Sequence, residues 1–381
     1  MRIGIDGTCW PSRRGYGRFV REIVEALGRQ GSGHQFVVFL DSMEHDLLQL
    51  PGRMRVVLVK TSQPATKAAR RKSRRTVPDL VRMARAVARE KLDLLFFPTV
   101  YSYFPVWKRH PIVVAIHDII PESHPGPAFA TRWNEGLWHV KRRLAVAQAD
   151  RIVTISEYSR RGLSKLLRIP ERRIHVVYLA ASRQFRRLDI ARDQPPFVLT
   201  VGGLNPHKNL ATLVRAFGKL HPGHTGLRLV LAGAYNPDSA WYTDLHELVS
   251  SLGLNEAVSF TGYVPDPALC ELYSRAAVLV FPSLDEGFGL PVVEAMACGC
   301  PAIVSSGNAL EEVAGGAALV IDPLDEEDLR AAMESVLRDA GLAADLSARC
   351  LRRAAEFSWD ASARKLIDIF EETRRTWRNQ A

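Results

Sequence analysis

Cysteine is scarce in this 381-residue chain, and the little there is does not form pairs. Cys9, Cys270, Cys298, Cys300 and Cys350 are odd in number and scattered, which excludes a disulfide framework and a paired zinc site. Cys298-Gly-Cys300 reads as two small buried residues at a helix end rather than a redox motif. Long apolar runs are also missing: none reaches the roughly eighteen residues needed to span a bilayer. The opening "MRIGIDGTCW" enters a strand-like run without the apolar core or cleavage site of a signal peptide. The expectation is a soluble globular protein of the cytoplasm, long enough for two domains.

Acid is absent from one region: no Asp or Glu occurs between Asp46 and Asp79. Lys67, Arg70, Arg71, Lys72, Arg74 and Arg75 crowd into nine residues of it. Residues 1–185 hold 33 Lys+Arg against 15 Asp+Glu, a charge of +18. Residues 186–381 hold 18 against 26, a charge of −8. One reading of the basic stretch is a solvated loop and helix start. The other is a patch for an anionic membrane surface, where each basic group contributes about 1 kcal/mol. A nucleic-acid interface is disfavoured, because no aromatics interleave for stacking and the second half is acidic.

What the chain does have is alternation. "RIGID", "QFVVFLD", "MRVVLVK", "LDLLFFPT", "PIVVAIHD", "RIVTIS" and "IHVVYLA" are strand-like, with helix-period stretches such as "GYGRFVREIVEALGR" between them. A polar, Arg-rich stretch ending in Pro195-Pro196 then reads as a linker. The pattern restarts with "FVLTVGG", "LRLVLAGA", "AVSFTGY", "AVLVFPS", "PAIVSS" and "AALVID". Short β-branched runs alternating with helices predict two doubly wound parallel sheets, that is, two Rossmann-like α/β domains. Ligands of such sheets lie at the carboxyl ends of strands.

"FPSLDEGFGLPVVEAMACGC" is a stretch where a strand hands over to a helix. Gly287 and Gly289 allow a tight turn and close backbone approach to a ligand. Pro291 suits a first helical turn, and the helix N-terminus offers an anion site. Glu294 is expected in that first turn, either closing a capping box or accepting hydrogen bonds from ribose hydroxyls. Glu286, at the entry to the turn, would then meet a sugar.

The same stretch resembles the E-x7-E region of family 4 retaining glycosyltransferases, which have the GT-B fold of two Rossmann-like domains with a cleft between them. "GIDGTCWPSRRGYGRFVREIVEAL", "VAIHDIIPESHP", "ADRIVTISEYSRRGL", "VGGLNPHKNLATLVRAF", "LVLAGA", "FTGYVPDPALCELYSRA" and "AAEFSWDASARKLIDIF" resemble further family segments, in family order. The resemblance implies an acceptor-binding domain over residues 1–185, a nucleotide-sugar-binding domain over 186–357, and a final helix, 358–381, packed back on the first domain.

It also implies roles. Glu286 would contact the transferred sugar and Glu294 the ribose, with the backbone of Phe288, Gly289 and Leu290 holding sugar hydroxyls and phosphate. Lys208 would neutralise the diphosphate, with Asn209 opening the helix behind it. The backbone at Tyr263 and Val264 would meet the base. Gly15 and Gly17 would form a loop facing the diphosphate, and His117 would lie at the reaction centre. Taken singly, His117 reads as a packed strand-end residue, Lys208 as a surface lysine and the glycines as turn residues.

The chain departs from the family at Gly203, where many members carry a second diphosphate-binding arginine, and at His207, where a subgroup carries one. No Asp-x-Asp occurs. Lys208 and helix N-termini are therefore expected to stabilise the leaving diphosphate without a metal. The implied activity is retaining transfer of a hexose, such as mannose from GDP-mannose, from a GDP- or UDP-sugar to a glycan or polyprenyl-linked acceptor. Such an enzyme of surface-polysaccharide assembly would work at the inner face of the cytoplasmic membrane. The alternative is a GT-B sugar synthase with a soluble acceptor.

Overall fold

A computed structural model describes residues 1–30, 33–41, 50, 54–62, 76–123, 132–190 and 192–379. The basic stretch holding Lys67, Arg70, Arg71, Lys72, Arg74 and Arg75 lies outside the described residues. The chain divides into two compact units, one of Met1–Leu179 with Trp359–Ala381, the other of Ala180–Ser358.

The first unit is built on seven parallel strands: β1 (Arg2–Asp6), β2 (Gln35–Asp41), β3 (Arg55–Val59), β4 (Leu94–Phe97), β5 (Ile112–Ala115), β6 (Arg151–Thr154) and β7 (Ile174–Val176). Their order is β3-β2-β1-β4-β5-β6-β7. β4 and β5 are buried along their whole length, as strands covered by helices on both faces must be. The helix Gly15–Arg29 buries Phe19, Val20, Ile23, Val24 and Leu27 as one stripe. The final helix, Trp359–Arg378, belongs to this unit: Phe370 packs 5.2 Å from Phe96, and Arg374 pairs with Asp93 at 2.9 Å.

The second unit holds β8 (Phe197–Val201), β9 (Arg228–Ala232), β10 (Val258–Gly262), β11 (Val278–Phe281), β12 (Ala302–Ser305) and β13 (Leu319–Ile321). Their order, β10-β9-β8-β11-β12-β13, is again all parallel. Alternate residues serve opposite faces. Leu199, Leu279 and Val304 join one core with Tyr273 and Met296, while Val198, Val280 and Ile303 join another with Phe217 and Leu346. This unit begins at Ala180, ahead of Phe185, which packs 5.9 Å from Tyr273 in its core.

Candidate active site

In each sheet the strand order reverses once, between β1 and β4 and between β8 and β11. Outside the carboxyl ends at such a reversal the flanking loops part and leave a crevice. In the second unit β8 runs into Gly202-Gly203 and the single turn Pro206–Lys208. β11 runs into the loop that carries Glu286. The two loops meet, with the Leu284 amide donating to the His207 carbonyl at 2.7 Å. Lys208 Nζ pairs with Glu286 Oε1, and both side chains are largely buried. The same ammonium lies 4.6 Å from the centre of the Phe281 ring. Gly202, Gly203, Lys208, Phe281 and Ser283 line the cleft.

Gly289 N-caps the helix Leu290–Ala297 with a left-handed backbone, φ +89°. That backbone favours glycine, and a Cβ there would in addition push the Leu310 side chain aside. No side chain caps this helix; Pro291 has no amide hydrogen and the Val292 amide donates to the Gly289 carbonyl at 2.9 Å, so what the helix start offers an anion is chiefly its dipole end. Glu294 is its fifth residue rather than part of the first turn, and a glycine N-cap has no side chain with which to close a capping box. Glu294 is instead buried one turn in, accepting a hydrogen bond from the Tyr273 hydroxyl at 3.3 Å. The Phe288 side chain points into the core, edge-on to Phe357 at 5.6 Å, leaving its backbone to the loop.

Asn209 adopts φ +56° ahead of the helix Leu210–Leu220. Its side chain is engaged within the fold, donating to the carbonyls of Pro282 (3.2 Å) and Pro323 (2.5 Å) and accepting from Thr212 (2.7 Å). A Cβ at Gly203 would meet only Asn205 Nδ2 at 3.1 Å and Ala234 O at 3.6 Å, so packing does not demand glycine there. Tyr263 is exposed just past β10, two strands from β8, and Val264 packs against the core.

In the first unit Gly15 and Gly17 lie in the first turn of the helix Gly15–Arg29 rather than in a loop, and Gly15 has free space around it. Gly17 has none: a Cβ would overlap the Ser12 carbonyl oxygen and lie 2.6 Å from Ser12 Cβ. Arg21 holds the same loop, donating to the Trp10 and Ser12 carbonyls at 2.7 Å each. His117, just past β5, is buried; its Nε2–H donates to the Pro98 carbonyl at 2.9 Å, and the Phe19 ring stands edge-on at 4.7 Å. Burial holds its pKa down at about 4, so the imidazole is neutral at pH 7 with Nδ1 as the acceptor.

That depression links stability to pH. Unfolding restores a pKa near 6.5, so this contribution is complete above pH 6.5 and is lost as pH falls toward 4. Between pH 7 and 5 the loss is about 2 kcal/mol. Urea midpoints at the two pH values are expected to fall less for His117→Asn than for the natural chain. An equal fall in both would show that His117 is not the group responsible.

Residues 13–183 match the protein-family model described as Glycosyltransferase Family 4, and residues 182–377 match the one described as Glycosyl transferases group 1. The chain belongs to the family 4 glycosyltransferases. The O-antigen chain mannosyltransferase B of Escherichia coli is 33% identical over 276 residues, covering 68% of this chain and 70% of that protein. The serotype-specific mannosyltransferase WbdA of Escherichia coli is 31% identical over 281 residues, 69% of this chain. The chain spans 33% of the length of that relative. Among solved structures, sucrose-phosphate synthase from Thermosynechococcus elongatus superposes with a TM-score of 0.77 at 21% identity, covering 98% of each chain. The fold shared is GT-B.

Sequence reasoning about this glycosyltransferase did not single out Tyr273, Gly233 or Asn308. Tyr273 stands in a helix where it looks like ordinary core. Asn308 donates to Ser283 O at 3.0 Å and so fixes the loop after β11, yet its only local signal is that of a helix N-cap. Among the described residues no group of three or more His, Cys, Asp or Glu is placed to hold a metal ion, and no helix is long and apolar enough to cross a membrane.

Proposed function

We propose that this glycosyltransferase transfers mannose from GDP-mannose, with retention and without a metal, to a glycan or polyprenyl-linked acceptor in surface-polysaccharide assembly, at the inner face of the cytoplasmic membrane. The observation that carries the reading is the meeting of Lys208 with Glu286 at the β8/β11 reversal, one loop away from buried Glu294. The names of the two Escherichia coli mannosyltransferases support the choice of sugar.

In this reading Glu294, aimed by Tyr273, accepts from the ribose hydroxyls. Lys208 and the N-terminus of the helix Leu290–Ala297 take the diphosphate, with the backbone of Gly203, Phe288, Gly289 and Leu290 close to it. The backbone at Tyr263 and Val264 serves the base, and Gly15 and Gly17, in the first turn of their helix, serve the phosphates. The acceptor hydroxyl attacks the anomeric carbon on the face that the diphosphate leaves, and a departing phosphate oxygen takes its proton. The C–O bond to the acceptor forms as the bond to phosphate breaks. Glu286 stabilises the oxocarbenium-like sugar, and His117, being neutral, adds no charge against it. Fixed charges of this kind supply about a hundred- to a thousandfold each.

A melting panel of GDP, UDP and their sugars, with EDTA or Mg²⁺, tests the donor. Ligand at about a hundred times its Kd stabilises by about 2.7 kcal/mol. GDP-mannose is expected to raise Tm equally with and without EDTA, and Glu294→Ala to abolish the shift. A shift that requires Mg²⁺ would overturn the metal-free reading; a shift with UDP-sugars alone would overturn the donor. Retention is read by NMR from the anomeric configuration of the product.

A further inference from the structure

The helix Arg132–Gln148 in the first unit is apolar on two faces, and one of them is exposed. Along it Trp133 is 69% exposed, Val140 53% and Leu144 44%, whereas Arg142 is only 7% exposed. At 100° per residue the first three fall within a sector of about 40°, and half-buried Leu137 and exposed Ala147 widen the same stripe. The opposite face does the packing: Trp138 stacks on Tyr101 at 5.0 Å and joins the core, and Ala145 is fully buried. Exposed Arg132 and Arg143 flank the stripe on one side, and Lys141 stands on the other, its Nζ donating to Tyr101 O at 2.5 Å. The helix carries Arg132, Lys141, Arg142 and Arg143 against the single acid Glu135.

An exposed stripe of Trp, Val and Leu is unfavourable in water, and single scattered apolar residues would not align in this way. A protein partner would be served by an apolar face alone. A border of arginines matches a surface that is apolar inside and anionic at its rim, and tryptophan is the residue that favours such a boundary. We propose that this face seats the enzyme on an anionic lipid surface, with Trp133, Val140 and Leu144 entering the headgroup–acyl boundary and Arg132 and Arg143 on the phosphates. The proposal rests on the reading that the enzyme works at a membrane, and it assigns that contact to an element other than the basic stretch at 67–75.

The test is flotation of the full chain with vesicles of phosphatidylcholine alone or mixed with phosphatidylglycerol. Binding is expected to the anionic vesicles only. Trp133→Ser/Val140→Ser/Leu144→Ser is expected to weaken it at least tenfold while the chain stays folded, because these side chains lie outside the core. A second variant, with Lys67, Arg70, Arg71, Lys72, Arg74 and Arg75 changed to Gln, separates the two candidate elements. If the triple variant binds as the natural chain does while the Gln variant does not, the inference falls and membrane association stands on 67–75. If the natural chain binds no vesicle, both fall, leaving the donor chemistry untouched. If the natural chain is instead a dimer in solution that the triple variant dissociates, the stripe is a protein interface and the inference is overturned.

Discussion

Glu286→Gln is expected to lower transfer by about a thousandfold and, at the same time, to bind free GDP about tenfold more tightly. The two effects share one cause. Lys208 is paired with Glu286, so under the proposed reading a diphosphate competes with a carboxylate for that ammonium. Glutamine keeps the shape and an accepting oxygen, so Lys208 is not left as a bare buried charge, which would cost several kcal/mol. It removes the negative charge that draws Lys208 away from an anion, the same charge proposed to stabilise a positive sugar. Calorimetry with GDP and single-turnover rates with the sugar nucleotide separate the two. Glu286→Asp sharpens the case, because it retains the charge but shortens the reach to Lys208. Tighter GDP binding by both variants supports competition within the pair. Weaker binding by Glu286→Gln would mean that the carboxylate supports the donor directly.

Gly233→Ala is expected to destabilise the second unit by about 3 kcal/mol and to remove GDP binding from whatever fraction folds. A Cβ at this position would overlap the Gly202 carbonyl oxygen and lie 2.6 Å from the Gly202 carbonyl carbon. Backbone cannot rotate away as a side chain can, and Gly233 sits at φ +153°, which side chains disfavour. Gly202 is itself tied back, its amide donating to Ala232 O at 2.8 Å. The strain therefore passes to the Gly202-Gly203 turn, which lines the same cleft as Lys208. Urea unfolding reads the first effect and GDP titration the second. Gly203→Ala is the control, since a Cβ there meets only the movable end of Asn205 and a carbonyl at 3.6 Å. Equal losses in both variants would show that the turn as a whole, rather than the Gly233 contact, sets the cost.

Periodicity and turn chemistry are local properties, and they carried the architecture. The thirteen apolar runs read as strands correspond to β1–β13, in sheets of seven and six. The alternation of strand and helix forces parallel pairing, because a right-handed crossover returns each strand beside its neighbour in the same direction. The glycine–proline turn at 286–291 was legible for the same reason: φ +89° and a proline in the first helical turn leave a signature in the residue types themselves. Glu294 falls just past the first turn because the helix begins at Leu290, a boundary that residue identity marks only loosely.

Other features depend on which distant side chains share a place. Lys208 and Glu286 are 78 residues apart, and Lys208 alone resembles a surface lysine. Only the reversal between β8 and β11 brings them together and buries them. That the Asn209 amide donates to two proline carbonyls is likewise visible only in the fold. The neutrality of His117 follows from burial beneath Phe19, which no strand-end position announces. The helix Arg132–Gln148 has stripes on both sides, and residue order does not say which one faces the core. Packing against Tyr101 settles that choice, turning Trp133, Val140 and Leu144 outward. The chain order thus determined the two sheets, their helices and the turn beside Glu286, because those follow from backbone preferences over a few residues. Tertiary packing decided the pairings, the protonation and the exposed face, because burial and charge contact arise only when remote segments meet.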